Sequence, residues 1–402
     1  MNKIDKITAG IDWEIFVNSG RTGYSAGKEK ISAIIDSAYS KSPELEIGED
    51  LDSLEIRIGV AHSYGELHDR ISRAFELCKK IASRKNLVLV PLGFRESDVN
   101  VAGGHIHAGS IEHFVDAAEL HNRLIPYVPA FIALSSSSPS LDGKYKSHRM
   151  TQNARFCSVP ASVIETDTST IPWGDDICIK YPYKSTIELR AGDSLPTPNL
   201  MTELAALYIG LVAKTSHFQK AQIEFDPVEY GINRINAEIS GMQATFIIEG
   251  EEISASDFIE NKIIPLAIDG LKEFGIPDNR FNLAYEMVRK HISIADWVRE
   301  MIPIGTDAWR ATGEITRIFA TNPDIEGWIH SAKSRKIAPL KPFKNLLVDS
   351  IALDTPLHHL YDAIPFPIYF IENELEKLVE DGKITKKFGA KNEILFDRVD
   401  LS

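Results

Sequence analysis

Residues 103–110 read GGHIHAGS. Alternate side chains of a strand point to one face, so His105 and His107 share a face and Ile106 packs behind them. Three other segments repeat this pattern. Asp12 and Glu14 alternate with Trp13 and Ile15 in IDWEIF, Glu55 and Arg57 with Ile56 and Ile58 in SLEIRI, and Glu188 and Arg190 flank Leu189 in STIELRAGD. A polar alternating face is common where an antiparallel sheet meets water, so no single segment decides. If the four strands share a sheet with their polar faces together, that face holds several carboxylates, two imidazoles and two guanidiniums. Like charges so placed repel strongly at low dielectric, and a divalent cation relieves the conflict. Mg²⁺ suits the oxygen-rich set and binds beside substrate phosphates. An imidazole can join as a ligand or hold a carboxylate from behind, which leaves the arginines to take phosphate oxygens bidentately.

The bulk composition narrows the function classes. The chain has 402 residues, enough for one to three domains. Hydrophobic residues make up 44% and charged residues 25%, as in ordinary globular proteins. A formal net charge of −13 argues against non-specific nucleic-acid binding. Cys78, Cys157 and Cys178 are far apart and odd in number, which suits neither a disulfide framework nor a thiolate metal site. MNKIDKITAGID lacks the apolar run of a signal peptide, and no apolar stretch approaches membrane-spanning length. A cytoplasmic protein without a membrane partner is expected.

Working outward, ITAGIDWEIFV, SLEIRIGVA, NLVLVPLG and the two halves of DICIKYPYKSTIELRAGD read as strands. KISAIIDSAYSK, ELHDRISRAFELCKKIASRK and NLMTELAALYIGLVAKT read as helices. IEHFVDAAELHNRLIPYVPAFIALS has helical spacing interrupted by prolines. SASDFIENKIIPLAIDGLKEFG predicts a helix capped by Ser254 or Ser256 and stopped at Gly275. NLAYEMVRKHISIADWVREMI predicts another helical region, and the tail predicts a helix followed by a charged, mixed end. Strands early and helices late fit an α/β or α+β domain with its site on the sheet. In ALSSSSPSLDGKYKSHR, Ser135 to Ser138 can offer hydroxyls and amides to an anion, with Lys146 and Arg149 approaching the same charge. The same composition also suits a flexible surface loop. Neither GxxxxGK[ST] nor a GxGxxG after a strand occurs, so a nucleotide is not held in a P-loop or Rossmann manner. A GxSxG nucleophile elbow is also absent.

Taken in order, these stretches resemble the carboxylate–amine ligases related to glutamate–cysteine ligase of the second type. GIDWEIF is similar to that family's GxExE-like opening strand, LEIRIGV to its next Glu-bearing strand and HIHAG to its HIHVG strand. ALSSSSPSLDGKYKSHR is similar to the serine motif ALSxSSPxxxGxxxxxxSxR. TIELRAGD is similar to TxExRxxD, and NRINAEISGMQA loosely to NRWRAxRxGLDA. The matches run from about residue 9 to about residue 245, and the tail after about residue 345 aligns with nothing. The resemblance implies an α+β, glutamine-synthetase-like fold, a curved, mostly antiparallel catalytic sheet with helices on its outer face. It implies a catalytic domain over 1–345 and a C-terminal extension, 346–402, of unknown role. It further implies ATP with Mg²⁺, or Mn²⁺ in its place. The family makes an amide bond by phosphorylating a carboxylate, typically the γ-carboxylate of glutamate, and letting an amine displace phosphate from the acyl phosphate.

Carried onto this sequence, the resemblance makes Glu14, Glu55, His105 and Glu188 metal ligands. Arg190 steadies the transferred phosphoryl group, Arg149 binds a substrate carboxylate or phosphate, and His107 borders the chemistry. Ser136, Ser137 and Arg234 fall on the nucleotide side. Departures from the pattern bear on substrate choice. Asp12 and Trp13 stand where two glutamates are usual, Asn236 and Ile239 where arginines are usual, and Gln243 where aspartate is usual. Ser185 and the KYPYK run suggest a reshaped wall. The expected partners are a small-molecule carboxylate and an amine, with no nucleic acid, no membrane and room for a homo-oligomer. The alternatives are an ATP-dependent phosphotransferase on a related sheet and a non-catalytic homologue that binds an amino acid or nucleotide.

Overall fold

A computed structural model describes residues 6–95, 97–152, 157–171, 174–181, 186–275, 281–351, 355–363, 366, 368–389 and 393–399. Its centre is a seven-stranded sheet built from β1 (Thr8–Ser19), β2 (Glu46–Asp50), β3 (Ser53–Arg57), β4 (Leu87–Val90), β7 (Gly104–Gly109), β8 (Ile177–Lys180) and β9 (Thr186–Leu189). A small ribbon, β5 (Phe94–Arg95) and β6 (Ser97–Val101), precedes β7. The order across the sheet is β2-β3-β1-β7-β9-β8, with β4 continuing the β7 side of β1. Every strand pairing in it is antiparallel, as the resemblance implies.

The alternation read from the sequence sorts the two faces. Trp13, Ile15, Leu54, Ile56, Ile106, Ile187 and Leu189 point to one face and are buried. Helices cover that face, chiefly α2 (Tyr64–Arg84) and α6 (Pro198–Thr215). The Trp13 indole stacks on Phe75 of α2 with ring centroids 5.0 Å apart, and its N–H donates to Ser194 at 2.9 Å, so the largest core side chain leaves no polar atom unpaired.

The remaining helices are α1 (Lys28–Tyr39), α3 (Phe114–Leu124), α4 (Val128–Ser135), α5 (His148–Gln152) and α7 (Pro227–Ser240), followed by α8 (Ala255–Phe258), α9 (Ile264–Gly270), α10 (Asn282–Lys290), α11 (Ile294–Met301), α12 (Ala308–Ala320), α13 (Ile325–Ser331), α14 (Phe343–Asp349), α15 (Leu357–Ala363) and α16 (Ile368–Glu380). Three helical expectations change in detail. The helix after Ser254, which caps it by accepting from the Asp257 N–H, passes through a π turn at Ile259–Ile263 before α9. Pro265 has no N–H for the ladder, so the turn absorbs the mismatch. That helix ends at Gly270, ahead of the expected Gly275. The region 282–301 splits into α10 and α11 because His291 adopts a left-handed conformation, φ 55.

The tail also departs from expectation. Its charged end is a hairpin, β13 (Ile384–Phe388) with β14 (Ile394–Arg398), joined by β12 (Thr355–Pro356). β10 (Thr245–Ile248) and β11 (Glu251–Ser254) form a separate hairpin. Tail residues Phe343, Leu347, Leu360, Ile371, Leu378 and Phe396 form a second apolar cluster with Ile232 and Ile235 of α7. Ile239, at one of the departing motif positions, packs against the same cluster.

Candidate active site

The opposite face of the sheet carries the polar side chains, and the strand register brings them together. Glu14 lies directly opposite Glu55, Asp12 opposite both Arg57 and His105, and His107 opposite Glu188. Glu14, Glu55, His105, His107 and Glu188 are all buried. Two groups of metal-ligand type result, each with its ligating atoms within 4.8 Å of one another: Glu14 with Asp50 and Glu55, and Asp12 with His107 and Glu188. Asp50 was not foreseen. It ends β2, whose EIGED sequence has too little apolar alternation to announce a strand.

The two groups differ in charge. Burial pushes the Glu14 carboxyl up to about 8, with Asp50 and Glu55 adding to the rise, while Arg149 and the Gly103 N–H oppose it. Burial also raises Glu55, against the pull of Arg57, with which it forms an ion pair. Burial alone would raise Glu188 too. His105, His107, Arg190 and Lys180 surround it, however, and hold it well below the usual range. Lys180 lies 2.8 Å and Arg190 3.3 Å from its carboxylate. The first group is thus less well compensated by positive charge than the second.

His105 stands between the groups, 3.9 Å from Glu14 and 3.6 Å from Glu188. Burial pushes its pKa down to about 3, Glu188 opposes this, and Arg149 and Arg190 lower it further. The neutral ring accepts at Nε2 from Arg149 at 3.2 Å. Of the two histidines, His107 rather than His105, the expected ligand, falls within one of the two groups. His107 reaches Asp12 at 3.1 Å and Thr186 at 3.1 Å. Arg149 and Arg190 meet at the same place, the first donating to the backbone carbonyl of the second at 3.2 Å. The Nε atoms of both arginines are buried without a partner among the described residues.

Other expected site residues have internal partners. Ser136 and Ser137 are fully buried rather than set in an open loop. The Ser136 hydroxyl donates back to Ile132 in α4, and that of Ser137 donates to the Ser194 carbonyl while accepting from the Gly93 N–H. Neither hydroxyl is left for a phosphate. Arg234 does not reach the face. Its guanidinium is bound internally by Asp176, Glu238 and the carbonyl of Cys157, the arrangement a buried charge requires. Lys146, expected near Arg149, instead pairs with buried Asp296 at 2.8 Å. The departing motif residues have structural partners as well. Asn236 donates to Ile232 and accepts from the Lys341 N–H, and Gln243 donates to the carbonyl of His291. The wall expected around Ser185 lies outside the described residues.

Comparisons with known proteins bear on this face. Residues 96–170, which include the His-x-His strand and the serine motif, match the model of glutamate–cysteine ligase family 2. Two relatives named "putative glutamate–cysteine ligase 2", from Janthinobacterium sp. (strain Marseille) and Herminiimonas arsenicoxydans, are each 30% identical over 249 and 250 residues. Each match covers 54% of this chain and 64% of the relative, so the chain spans less than two thirds of their length. Among solved structures, a glutamate–cysteine ligase from Francisella tularensis in complex with AMP shares the fold at a TM-score of 0.53 and 9% identity, covering 94% of this chain and 99% of that one. A bifunctional glutathione synthetase from Pasteurella multocida does so at 0.54 and 11%, covering 98% and 58%. The chain is thus similar in sequence to glutamate–cysteine ligase family 2 over residues 96–170 and shares the glutamine-synthetase-like fold of these ligases.

Proposed function

We propose that the protein is an ATP-dependent carboxylate–amine ligase that joins a small carboxylate, glutamate or another amino acid, to an amine through an acyl phosphate. One observation carries this reading. The two ligand groups lie beside Arg149 and Arg190, whose buried Nε atoms have no partner among the described residues. Such a face suits a polyanion brought in with cations. The donor set fits Mg²⁺ or Mn²⁺, since five of the six side chains offer carboxylate oxygen and the sixth an imidazole. The raised Glu14 carboxyl supports this fit, because a nearby cation favours its ionised form. Glu14, Asp50 and Glu55 would hold one ion and Asp12, His107 and Glu188 another. Bound there, the metal would offset the charge of the triphosphate and of the developing transition state.

The chain's own residues then have separable tasks. Arg190, anchored through Glu188, offers its planar fork to the phosphoryl oxygens as negative charge builds on them. Arg149 orients a carboxylate or phosphate beside His105. That ring stays neutral and keeps Nε2 as an acceptor, so it steers the guanidinium rather than competing with it for anions. No thiol takes part. Cys78, Cys157 and Cys178 are all buried, and burial raises each of them, making the nucleophilic thiolate scarce.

A screen of amino-acid and amine pairs with ATP and Mg²⁺, read by phosphate release and product mass, tests the reading. The expected products are an amide, ADP and phosphate, with oxygen-18 from the acid's carboxylate appearing in the phosphate. A stable phosphorylated product would make the protein a phosphotransferase instead. Undiminished phosphate release in excess chelator would remove the metal from the reading.

A further inference from the structure

The last residue of TIELRAGD, Asp193, lies outside the ligand groups, yet it holds more of the site's framework than any residue assigned above. It is fully buried. Its Oδ2 accepts from the backbone N–H of Ser137 at 2.9 Å and from the hydroxyl of Ser138 at 2.6 Å, and its Oδ1 accepts from the hydroxyl of Ser147 at 2.9 Å. Both ends of the serine motif are thus drawn onto one carboxylate. Ser138 passes the constraint on, since its hydroxyl oxygen accepts from the Arg149 N–H at 3.2 Å and its carbonyl from the His148 N–H at 2.7 Å. The next residue, Ser194, donates to the Glu14 carbonyl at 2.6 Å and accepts from Trp13. The Asp193–Ser194 pair therefore ties the Arg149 segment to the strand that carries Glu14.

The surroundings leave no slack. A Cβ at Gly93 would sit 2.8 Å from the Asp193 carboxyl carbon and 2.8 Å from Ser138 Cβ. A Cβ at Gly103, paired with Asp193 across a β-bridge, would sit 2.5 Å from the Arg149 guanidinium and 2.6 Å from the His105 ring. Two glycines thus allow the carboxylate and the arginine it serves to approach the sheet.

We propose that Asp193 is a positioning residue for the ligase reaction, acting through the serine motif to hold the Arg149 guanidinium against His105. Ser138 and Ser147 are the internal scaffold of that arginine, and their hydroxyls serve a carboxylate of the chain in place of a bound anion. The inference rests on the ligase reading for its effect on turnover but not for its geometry. A misplacement of about 1 Å can cost roughly a hundredfold in rate.

The test is a double-mutant cycle of Asp193→Asn with Arg149→Lys, with Ser138→Ala as a second probe of the same relay. Each single change should lower kcat by roughly tenfold or more. Asp193→Asn should cost little further turnover once Arg149 is lysine. An equal fold-loss of turnover in both backgrounds would overturn the proposal, because a purely structural residue behaves that way. If the unaltered protein releases no phosphate with any pair, the ligase reading fails by itself. Crystal structures of the protein and of its Asp193→Asn and Ser138→Ala variants then decide. Displacement of the Arg149 guanidinium from His105 supports the role, and an unmoved guanidinium ends it.

Discussion

Glu14 and Glu188 are both buried carboxylates on one sheet face, yet their surroundings oppose each other, so the same substitution should act differently at the two positions. Glu14 is held up by burial and by the neighbouring Asp50 and Glu55. Keeping this carboxyl protonated costs the apo protein stability at neutral pH, and Gln removes that cost while keeping an oxygen for the Gly103 N–H. In chelator at neutral pH, Glu14→Gln should leave thermal stability unchanged or raised. Glu188 is embraced by Lys180 and Arg190, so Glu188→Gln takes a buried counter-charge from both and should cost about 3–5 kcal/mol. Both changes should reduce phosphate release by at least roughly a hundredfold. Equal melting shifts for the pair would contradict the charge asymmetry. Arg190→Lys keeps charge but loses the fork and should cut turnover on the order of 10²-fold with the fold intact. Turnover equal to that of the unaltered protein would place Arg190 outside the chemistry.

At this same scale, the sequence was legible where period-two alternation crossed a recognisable motif, as at Glu14, Glu55, His107 and Glu188. It was opaque where a polar side chain had to choose between a ligand and a distant internal partner. The partner of Arg234, Asp176, is 58 positions away in the chain, and that of Ser138, Asp193, is 55 away. Nothing local distinguishes a serine that will face a carboxylate of its own chain from one that will face a phosphate. The order of His105 and His107 was equally hidden, since both lie on the expected face and only the folded side chains bring His107 to Asp12 as well as to Glu188, its cross-strand neighbour.

Among elements, α6 and α10 meet through a buried charge. Glu203 of α6 accepts from the N–H groups of Ala284, at 2.8 Å, and Leu283 in the first turn of α10. Burial nonetheless pushes its carboxyl up to about 7, against the lowering by those two donors. An acid raised above its unfolded value near 4.5 binds its proton more tightly when folded. Stability therefore falls as pH rises from about 4.5 to about 7 and levels off beyond. Glu203→Gln keeps a bond to Ala284 and should flatten that slope, gaining on the order of 1–3 kcal/mol above neutrality. Urea unfolding across this pH range checks it, and an unchanged slope would show that Glu203 titrates normally. The elements themselves were readable wherever apolar spacing was strong, as in α2 and α6. The β13–β14 hairpin was not, because Thr385, Lys386 and Phe388 are all exposed and no alternation of buried side chains marks the strand.

Over the whole molecule, the departures in the loose motif acquire a physical reason. Ile239 and the neighbouring Ile232 and Ile235 face the tail's apolar cluster, and Asn236 holds the chain entering it through Lys341. The tail that aligned with nothing lies against the helix whose motif departs most. We propose that 346–402 is an extension whose packing on α7 accounts for these substitutions. A chain ended at residue 339 should melt at lower temperature and aggregate, and Ile235→Asp in the full chain should make the tail sensitive to protease. A truncated chain with unchanged melting temperature and solubility would show that the tail contributes nothing to α7.

The order of synthesis gives that contact a consequence in time. All seven strands of the central sheet lie between residues 8 and 189, so the ribosome can release them as one early unit. α7 follows soon after, but the residues that cover its isoleucines begin only at Phe343. At roughly 5–20 residues per second, that helix waits on the order of 5–20 seconds with its apolar stripe bare. Nascent chains of this protein should therefore be bound by chaperones most strongly in that interval, and slowing translation between α7 and the tail should lower the yield of soluble protein.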